Sequence, residues 1–169
     1  MFQKFYPDQT SRSSYEINYR NLWESGSRGL IFDIDNTLVP HGAPSDEACE
    51  ELIRQLKEIG FQIVLLSNNK QERVHKFNEK LDVLTIFKAN KPSEKNYLKA
   101  VSMMNLSKEE VVFIGDQIFT DIWGAKKAGI KNILVSPIHP KEEIQIVLKR
   151  IIEKPILAEY KKMNKKQEA

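Results

Sequence analysis

The chain has 169 residues, of which 41% are hydrophobic and 29% charged, and its formal net charge is +3. These values are typical of an ordinary globular protein, and so small a net charge, with no basic and aromatic cluster in the body of the chain, argues against nucleic-acid binding. Cys49 is the only cysteine, which excludes a disulfide framework and a cysteine-based metal site and fits the reducing cytoplasm. No apolar run has the length of a transmembrane helix.

The length predicts one domain that spans residues 1–169. We expect a core at about residues 28–138, preceded by an N-terminal extension, residues 1–27, and followed by an amphipathic helix and a lysine-rich tail, residues 139–169. The extension combines aromatic residues with a polar run, and we interpret it as an irregular segment with a short helix around Tyr19 that packs on the edge of the domain.

The first predicted strand leads into two carboxylates. Leu30-Ile31-Phe32 is a run of large apolar residues, typical of a strand buried on both faces. Asp33 and Asp35 follow it, and alternate residues of a strand point to the same side. Two carboxylates this close need a cation or a shared proton between them. The stretch therefore indicates a divalent metal site or an acid/base pair, unless it is only an Asp- and Asn-rich turn beside an edge strand.

Further apolar runs predict four more strands, and helical spacing predicts helices between them. The strands are predicted at residues 61–66, 84–87, 111–114 and 133–135. The helix after the first strand is capped by Ser45 and closed by Gly60. The last helix runs from Lys141 to Glu153 and is ended by Pro155. This alternation predicts an α/β fold, an open, three-layer, Rossmann-like parallel sheet with helices on both faces.

No cap domain is expected on this sheet. Only one helix and one loop separate the first predicted strand from the second, and residues 67–91 hold about one helix and one strand, so neither interval has room for an inserted domain. We therefore expect an open site, which suits a large substrate.

Polar side chains lie at the carboxyl ends of the predicted strands. They are Asp33, Asp35, Ser67, Lys91, Asp116 and Asp121. In such sheets, ligands bind beyond the carboxyl ends of the strands, at the point where the strand order reverses. These residue types fit phosphoryl transfer through a carboxylate, which requires a nucleophilic acid, a second acid for the leaving alcohol, and cationic groups around the phosphate. Mg²⁺ suits a site of this kind, built of oxygen ligands.

The same residues occur in the order of a known set of motifs. Asp33-Ile34-Asp35-Asn36-Thr37 resembles motif I of the haloacid dehalogenase superfamily, and Ser67 resembles motif II. Lys91 resembles motif III, and Gly115–Asp121 resembles motif IV. The resemblance covers roughly residues 28–138. More narrowly, the chain resembles the YqeG-type, class IIIA phosphatases, whose relatives in mitochondria and plastids dephosphorylate phosphatidylglycerophosphate.

The resemblance implies roles for the residues at the first two strand ends. Asp33 would be the nucleophile and a metal ligand. Asp35 would be the general acid and base, with its main-chain carbonyl also on Mg²⁺. Thr37 would brace the loop and bind the phosphate, and Ser67 would bind the phosphate with help from Asn68.

The resemblance implies roles at the other strand ends as well. Lys91 would neutralise the phosphate and the aspartyl intermediate, and Asp116 would complete the metal site. Asp121 would orient Lys91 or a metal-bound water, although a carboxylate that faces a helix N-terminus explains it too. Lys88 is an alternative to Lys91, and the position of Lys91 before Pro92 at a helix start favours Lys91.

These implications predict a Mg²⁺-dependent phosphomonoester hydrolase that acts through an aspartyl phosphate, with a phosphatidylglycerophosphate headgroup as the first candidate substrate. The alternatives are a phosphatase of a soluble sugar or nucleotide phosphate and a non-catalytic phosphate-binding or interaction protein of the same fold. A receiver-type signalling module is disfavoured because no Asp follows the third strand.

Two further expectations concern location and partners. We expect a cytoplasmic protein, and the amphipathic last helix with its nearby lysines would permit peripheral contact with an anionic membrane. A helix packed on the sheet and followed by a solvated tail is the simpler interpretation. A homo-oligomer is also compatible with the sequence.

Overall fold

The computed structural model of the protein describes residues 2–139 and 144–167. Six parallel strands form its sheet, in the order β1-β6-β5-β2-β3-β4. The strands are β1 (Gln9–Ser11), β2 (Gly29–Phe32), β3 (Gln62–Leu66), β4 (Leu84–Ile86), β5 (Val111–Gly115) and β6 (Lys131–Val135). The chain runs outward from β2 through β3 to β4, then crosses back to β5 and β6. The strand order therefore reverses between β2 and β5, and a ligand site is expected at their carboxyl ends.

Helices cover both faces of this sheet. They are α1 (Tyr19–Glu24), α2 (Glu47–Ile59), α3 (Gln71–Asn78), α4 (Glu94–Met103), α5 (Trp123–Ala128) and α6 (Ile144–Gln167). Apolar side chains of α2 and α3 pack with Leu30 and Phe32 of β2 on one face. Side chains of α4 and α5 pack with Ile31 on the other. All of β2 is buried, as its continuous apolar run predicts, and the expected fold class is confirmed.

The N-terminal extension is more ordered than its sequence indicates. The prediction of an irregular segment is wrong for Gln9–Ser11, which forms edge strand β1 beside β6. Asp8 fixes this pairing: its main-chain N–H donates to Asn132 Oδ1 at 3.1 Å, and its Oδ2 accepts from the Asn132 main-chain N–H at 3.0 Å. A polar strand of three residues shows no hydrophobic period from which it could be predicted. Contacts distant in sequence determine it instead.

The last helix differs from its predicted bounds. The helix α6 continues to Gln167 and contains Pro155, so the expectation that Pro155 ends it is wrong. The predicted start, Lys141, lies outside the described residues. Proline removes one helical hydrogen bond, but Pro155 is on the exposed side of the helix, where water can satisfy the carbonyl that loses its partner. On the other side, buried Glu153 and Ile156 hold α6 against the sheet.

The N-terminal cap of α2 is one residue later than predicted. Asp46, rather than Ser45, is the cap, and its Oδ1 accepts a hydrogen bond of 2.8 Å from the main-chain N–H of Cys49. Both residue types are good caps, so local preference alone does not decide between neighbours. The predicted closing residue, Gly60, is in the left-handed conformation at the end of the helix, with φ of 117°.

Candidate active site

A cavity of about 410 Å³ lies beyond the carboxyl ends of β2, β3 and β5. The sequence-predicted residues that line it are Asp33, Asp35, Ser67, Asn68 and Lys91. Asp116 follows β5 and Asp121 lies in the π-helical turn Ile118–Ile122 beside them. The structure thus brings the carboxyl ends of three strands and all of their predicted polar residues to one place. No inserted domain lies over the cavity in the described residues, but Ile146 and Lys149 of α6 form part of its wall.

Lys91 is the lysine of this cavity. Its ammonium donates to Asp33 Oδ1 at 2.6 Å and to Asp121 Oδ1 at 2.7 Å, and all three side chains are buried. Burial alone would lower the pKa of Lys91, but the charges of Asp121 and Asp33 raise it well above its usual value. Lys88, the alternative from the sequence, is exposed and has a positive φ of 46°. The geometry therefore favours Lys91 as the cation beside Asp33.

Asp121 ties Lys91 to the turn after β5. Its Oδ2 accepts the main-chain N–H groups of Asp116 at 3.1 Å and Gln117 at 3.0 Å, while Oδ1 faces Lys91. Gly115 allows this close approach, because a Cβ at that position would stand 2.6 Å from Cγ of Asp121. The carboxylate thus orients the ammonium and shapes the loop, and a glycine is needed before Asp116 for steric reasons.

Three buried carboxylates, which we call the acidic cluster, meet at the floor of the cavity. Asp33, Asp116 and Asp121 each place one carboxylate oxygen within 4.8 Å of the others. Burial raises the pKa of Asp33 to about 6, against the opposing effect of Lys91. Burial and the charge of Asp33 raise the pKa of Asp116 well above its usual value. Such raised values indicate negative charge that the protein compensates only in part, and the oxygen ligands fit a divalent cation.

Thr37 braces this cluster from the loop after β2. Its hydroxyl lies 3.2 Å from Asp116 Oδ1 and 3.4 Å from Asp33 Oδ2, and the residue is buried. The Thr37 hydroxyl thus contacts two carboxylates of the cluster, and its expected contact with the phosphate stays a prediction.

Asp35 stands apart from the acidic cluster. Its carboxylate accepts hydrogen bonds from the Gly42 main-chain N–H at 2.7 Å, from the side-chain amide of Asn69, and from Arg73 at 3.1 Å. Burial opposes the charge, but these three donors outweigh it and lower the pKa of Asp35 below its usual value. The two acids of one motif therefore have opposite environments, with a raised pKa for Asp33 and a lowered pKa for Asp35.

Ser67 and Asn68 at the end of β3 face different partners. Ser67 Oγ accepts from the Asn69 main-chain N–H at 3.1 Å and from its side-chain amide at 2.9 Å. Among the described residues no acceptor takes the hydroxyl hydrogen of Ser67, which leaves it for a ligand. Asn68 Oδ1 instead accepts the Lys91 main-chain N–H at 2.8 Å. Asn68 therefore supports the Lys91 main chain, and because it also lines the cavity its expected contact with the phosphate stays a prediction.

Sequence reasoning missed the residues that α6 contributes. The Arg150 guanidinium donates to the carboxylate and the main-chain carbonyl of Asp116. It also donates to Glu153 Oε2 at 3.2 Å, and Glu153 Oε1 accepts the Ile118 main-chain N–H at 2.9 Å. A charged pair three residues apart on the otherwise apolar inner side of a helix was the available signal. The helix α6 therefore supports both the acidic cluster and the turn that carries Asp121.

The family follows from comparison with known sequences. A family model described as haloacid dehalogenase-like hydrolase matches residues 41–129 of the chain. The chain belongs to the haloacid dehalogenase-like hydrolase family. The resemblance stated from the motifs is thereby confirmed, and so is the expectation of a hydrolase.

Other members of the haloacid dehalogenase-like family resemble the chain over most of its length. The probable phosphatase YqeG of Bacillus subtilis (strain 168) is 36% identical over 164 residues, which are 96% of this chain and 95% of that protein. A HAD-superfamily hydrolase from Ehrlichia chaffeensis has a TM-score of 0.53 and 20% identity, and the match covers 76% of this chain and 97% of that one.

The fold is also that of D,D-heptose 1.7-bisphosphate phosphatase from B. bronchiseptica, whose crystal structure holds magnesium and phosphate. Its TM-score is 0.54 at 15% identity, and the match covers 63% of this chain and 79% of that one. At this identity the match supports the fold alone.

The binding of a divalent cation to this haloacid dehalogenase-like site is expected to depend on pH. Because the folded pKa of Asp33 is raised to about 6, its contribution to the stability of the metal-free protein is full below the unfolded pKa and is lost as pH rises through 6. A cation binds the ionised carboxylates. Added MgCl₂ should therefore raise the melting temperature little near pH 5 and progressively more between about pH 6 and pH 7.5. A rise that does not change with pH would contradict the assignment of these carboxylates to the cation.

Proposed function

We propose that the chain is a phosphoric monoester hydrolase that depends on a divalent cation and forms an aspartyl phosphate on Asp33. The observation that carries this proposal is the position of Asp33, which lies at the floor of the cavity with the Lys91 ammonium 2.6 Å away and two more carboxylates of the acidic cluster beside it. The family match and the name of the Bacillus relative, a probable phosphatase, support the same activity.

The first half of the proposed reaction transfers the phosphoryl group to the protein. Lys91 holds Asp33 Oδ1, so Oδ2 is the oxygen that attacks phosphorus. A bond forms between Oδ2 and phosphorus, the ester bond between phosphorus and oxygen breaks, and the leaving alkoxide takes a proton from Asp35. The contacts from Asn69 and Arg73 favour the ionised form of Asp35, so substrate binding must displace at least one of them before Asp35 carries that proton.

The second half releases phosphate. Asp35, now ionised, removes a proton from water, and the water oxygen attacks phosphorus and displaces the Asp33 carboxylate. In the free protein Asp35 is already in the ionised form that accepts this proton. The Ser67 hydroxyl and the Lys91 ammonium hold phosphate oxygens in both halves, which keeps the transferred group in line.

We propose that the cation is Mg²⁺ and that it would be held by carboxylate oxygens of Asp33 and Asp116 and by the main-chain carbonyl oxygen of Asp35. Mg²⁺ prefers carboxylate, carbonyl, water and phosphate oxygens. When bound, the cation neutralises part of the charge on the phosphate and on the acidic cluster.

For the substrate we propose phosphatidylglycerophosphate. The resemblance to YqeG-type phosphatases points to it, and the outer side of α6 supplies a structural reason. That side exposes four apolar residues, Val147, Leu148, Ile151 and Ile152. Lys149 beside them lines the active-site cavity. An exposed apolar row with adjacent lysines complements an anionic bilayer, since apolar side chains enter the interface and cations stay at the headgroups.

The proposed location is the cytoplasm, with contact at the membrane surface. None of the helices in residues 2–139 and 144–167 combines the length and the apolarity that crossing a membrane requires. A second copy of the chain is the competing partner for the apolar row of α6. Sedimentation with and without vesicles that contain phosphatidylglycerol would distinguish a homo-oligomer from a membrane-bound monomer.

The test of the function is phosphate release from phosphatidylglycerophosphate in mixed micelles, measured beside a panel of soluble sugar and nucleotide phosphates. We expect turnover of the lipid well above that of the panel, lost on chelation and restored by MgCl₂. Turnover of soluble phosphates alone would keep the mechanism and reject the lipid substrate. No turnover of any phosphate ester would reject the enzyme and favour a non-catalytic phosphate-binding protein of this fold.

A further inference from the structure

A second cavity, of about 650 Å³, lies next to the active site and has no role in the reaction described above. It opens between the carboxyl ends of β1 and β6 and the inner side of α6, with Ser11, Ser136 and Tyr160 among its lining residues. Edge strand β1, which the sequence did not reveal, supplies one of its sides.

The second cavity is strongly cationic. Six basic side chains line it: Arg12, Arg150, Lys154, Lys161, Lys162 and Lys165. The carboxylates among its described lining residues, Asp116 and Glu153, both accept hydrogen bonds from Arg150. None of the four lysines has a carboxylate within 4.0 Å in the part of the chain that the structure describes, and Arg12 pairs only with exposed Glu16, at 3.4 Å. The four lysines, gathered around a concave space with no described carboxylate within 4.0 Å, attract an anion.

The position of the second cavity links it to the acidic cluster. Asp116 lines it, and a carboxylate oxygen of Asp116 lies within 4.8 Å of one from Asp33. The strands β1, β6, β5 and β2 are consecutive in the sheet, so the second cavity continues the row of carboxyl ends where the active site lies. One molecule can therefore reach both places, with Arg150 between them.

We propose that the second cavity binds a second phosphate group of the same substrate, a phosphodiester or phosphomonoester joined by a short polyol to the phosphate that is hydrolysed. This inference rests on the proposed function and adds to it the place where the second phosphate group of the substrate binds. Lysine ammonium groups and serine hydroxyls bind phosphate oxygens. The second cavity offers its four lysines and the Ser136 hydroxyl, whereas the Ser11 hydroxyl already donates to the Ser13 main-chain carbonyl at 2.9 Å. A lipid and a soluble metabolite with such a second phosphate share the recognised group.

The kinetic test uses the double variant Lys161→Gln/Lys165→Gln, which removes two lysines one helical turn apart, neither of them part of the proposed reaction. The matched control is Lys108→Gln/Lys131→Gln, with the same charge change at the amino ends of β5 and β6, the opposite end of the strands from the second cavity. The substrates are glycerol 3-phosphate, a water-soluble short-chain phosphatidylglycerophosphate, and its deacylated form. For short-chain phosphatidylglycerophosphate and its deacylated form, we expect Lys161→Gln/Lys165→Gln to raise KM about tenfold and leave kcat unchanged. The reason is that each lost lysine contact with the second phosphate weakens substrate binding. Glycerol 3-phosphate and the control variant should show no such change.

Three outcomes would overturn the proposal: an equal rise in KM for glycerol 3-phosphate, no rise for any substrate, or a rise only for the acylated substrate.

A second measurement does not depend on turnover. Titration of ¹⁵N-labelled protein with glycerophosphoglycerol should shift the amide signals of Ser11 and Ser136, and the shifts should weaken in Lys161→Gln/Lys165→Gln. If these shifts occur in a protein that hydrolyses no phosphate ester, the anion site stands and the proposed function fails. If the protein hydrolyses phosphate esters but these amide shifts are absent, the anion site is wrong and the proposed function stands.

Discussion

Replacement of Asp33 by asparagine is expected to abolish turnover and leave the fold intact. Asparagine has nearly the same shape, but its amide cannot form an acyl phosphate, so kcat should fall by at least about 10⁴-fold. The substitution also removes one of three clustered carboxylates, and the rise in melting temperature caused by MgCl₂ should therefore shrink. The measurements are phosphate release and thermal unfolding, each with and without MgCl₂.

The matched control for this variant is Asp46→Asn. It makes the same chemical change at the N-terminal cap of α2, at a residue that does not line the active-site cavity. Asparagine caps a helix about as well as aspartate. Activity and melting temperature should both stay close to those of the unchanged protein. If Asp33→Asn retained phosphatase activity while Asp46→Asn behaved normally, Asp33 would not be the nucleophile.

Replacement of Lys91 by methionine is expected to damage both activity and stability. Lys91 is the cation between Asp33 and Asp121, and all three side chains are buried. Removal of one partner leaves buried carboxylates without compensation, which costs about 3–5 kcal/mol of unfolding free energy. The phosphate would also lose its nearest ammonium, so kcat/KM should fall by about 10³-fold or more. Urea unfolding and phosphate release measure the two effects.

Lys88→Met tests the same substitution three residues away. Lys88 is exposed, so its replacement should change the unfolding free energy by no more than about 0.5 kcal/mol and leave activity unchanged. The pair of variants decides which lysine serves the site. Should Lys88→Met inactivate the enzyme and Lys91→Met leave it active, the arrangement of the cavity would need a different cation.

The sequence predicts the centre of this site well because the signals there are local. A continuous apolar run that ends in two acids predicts a buried strand and a carboxylate site, and β2 with Asp33 and Asp35 has that form. Ser67 and Asp116 follow similar runs in β3 and β5. Since parallel strands end at the same edge, convergence of these residues follows from the fold class without any knowledge of particular contacts.

The surroundings of the site depend on contacts that no local pattern contains. Arg150 reaches Asp116 across 34 positions of sequence, and Arg73 reaches Asp35 across 38. The strand β1 is too short to show a period, and α6 continues past Pro155 because the buried side of the helix holds it. In each case tertiary packing outweighs the local preference on which a sequence-based prediction relies.

The support that α6 gives to the acidic cluster has a consequence for synthesis of the protein. A ribosome completes every strand and both motif I acids before it reaches Arg150, the residue that bonds Asp116, and Glu153, which accepts the Ile118 main-chain N–H. A nascent chain can therefore assemble its sheet early, while the turn that carries Asp121 gains its last partners only when α6 emerges. Translation that stops before α6 would yield a product with all three carboxylates of the acidic cluster and an incompletely supported site.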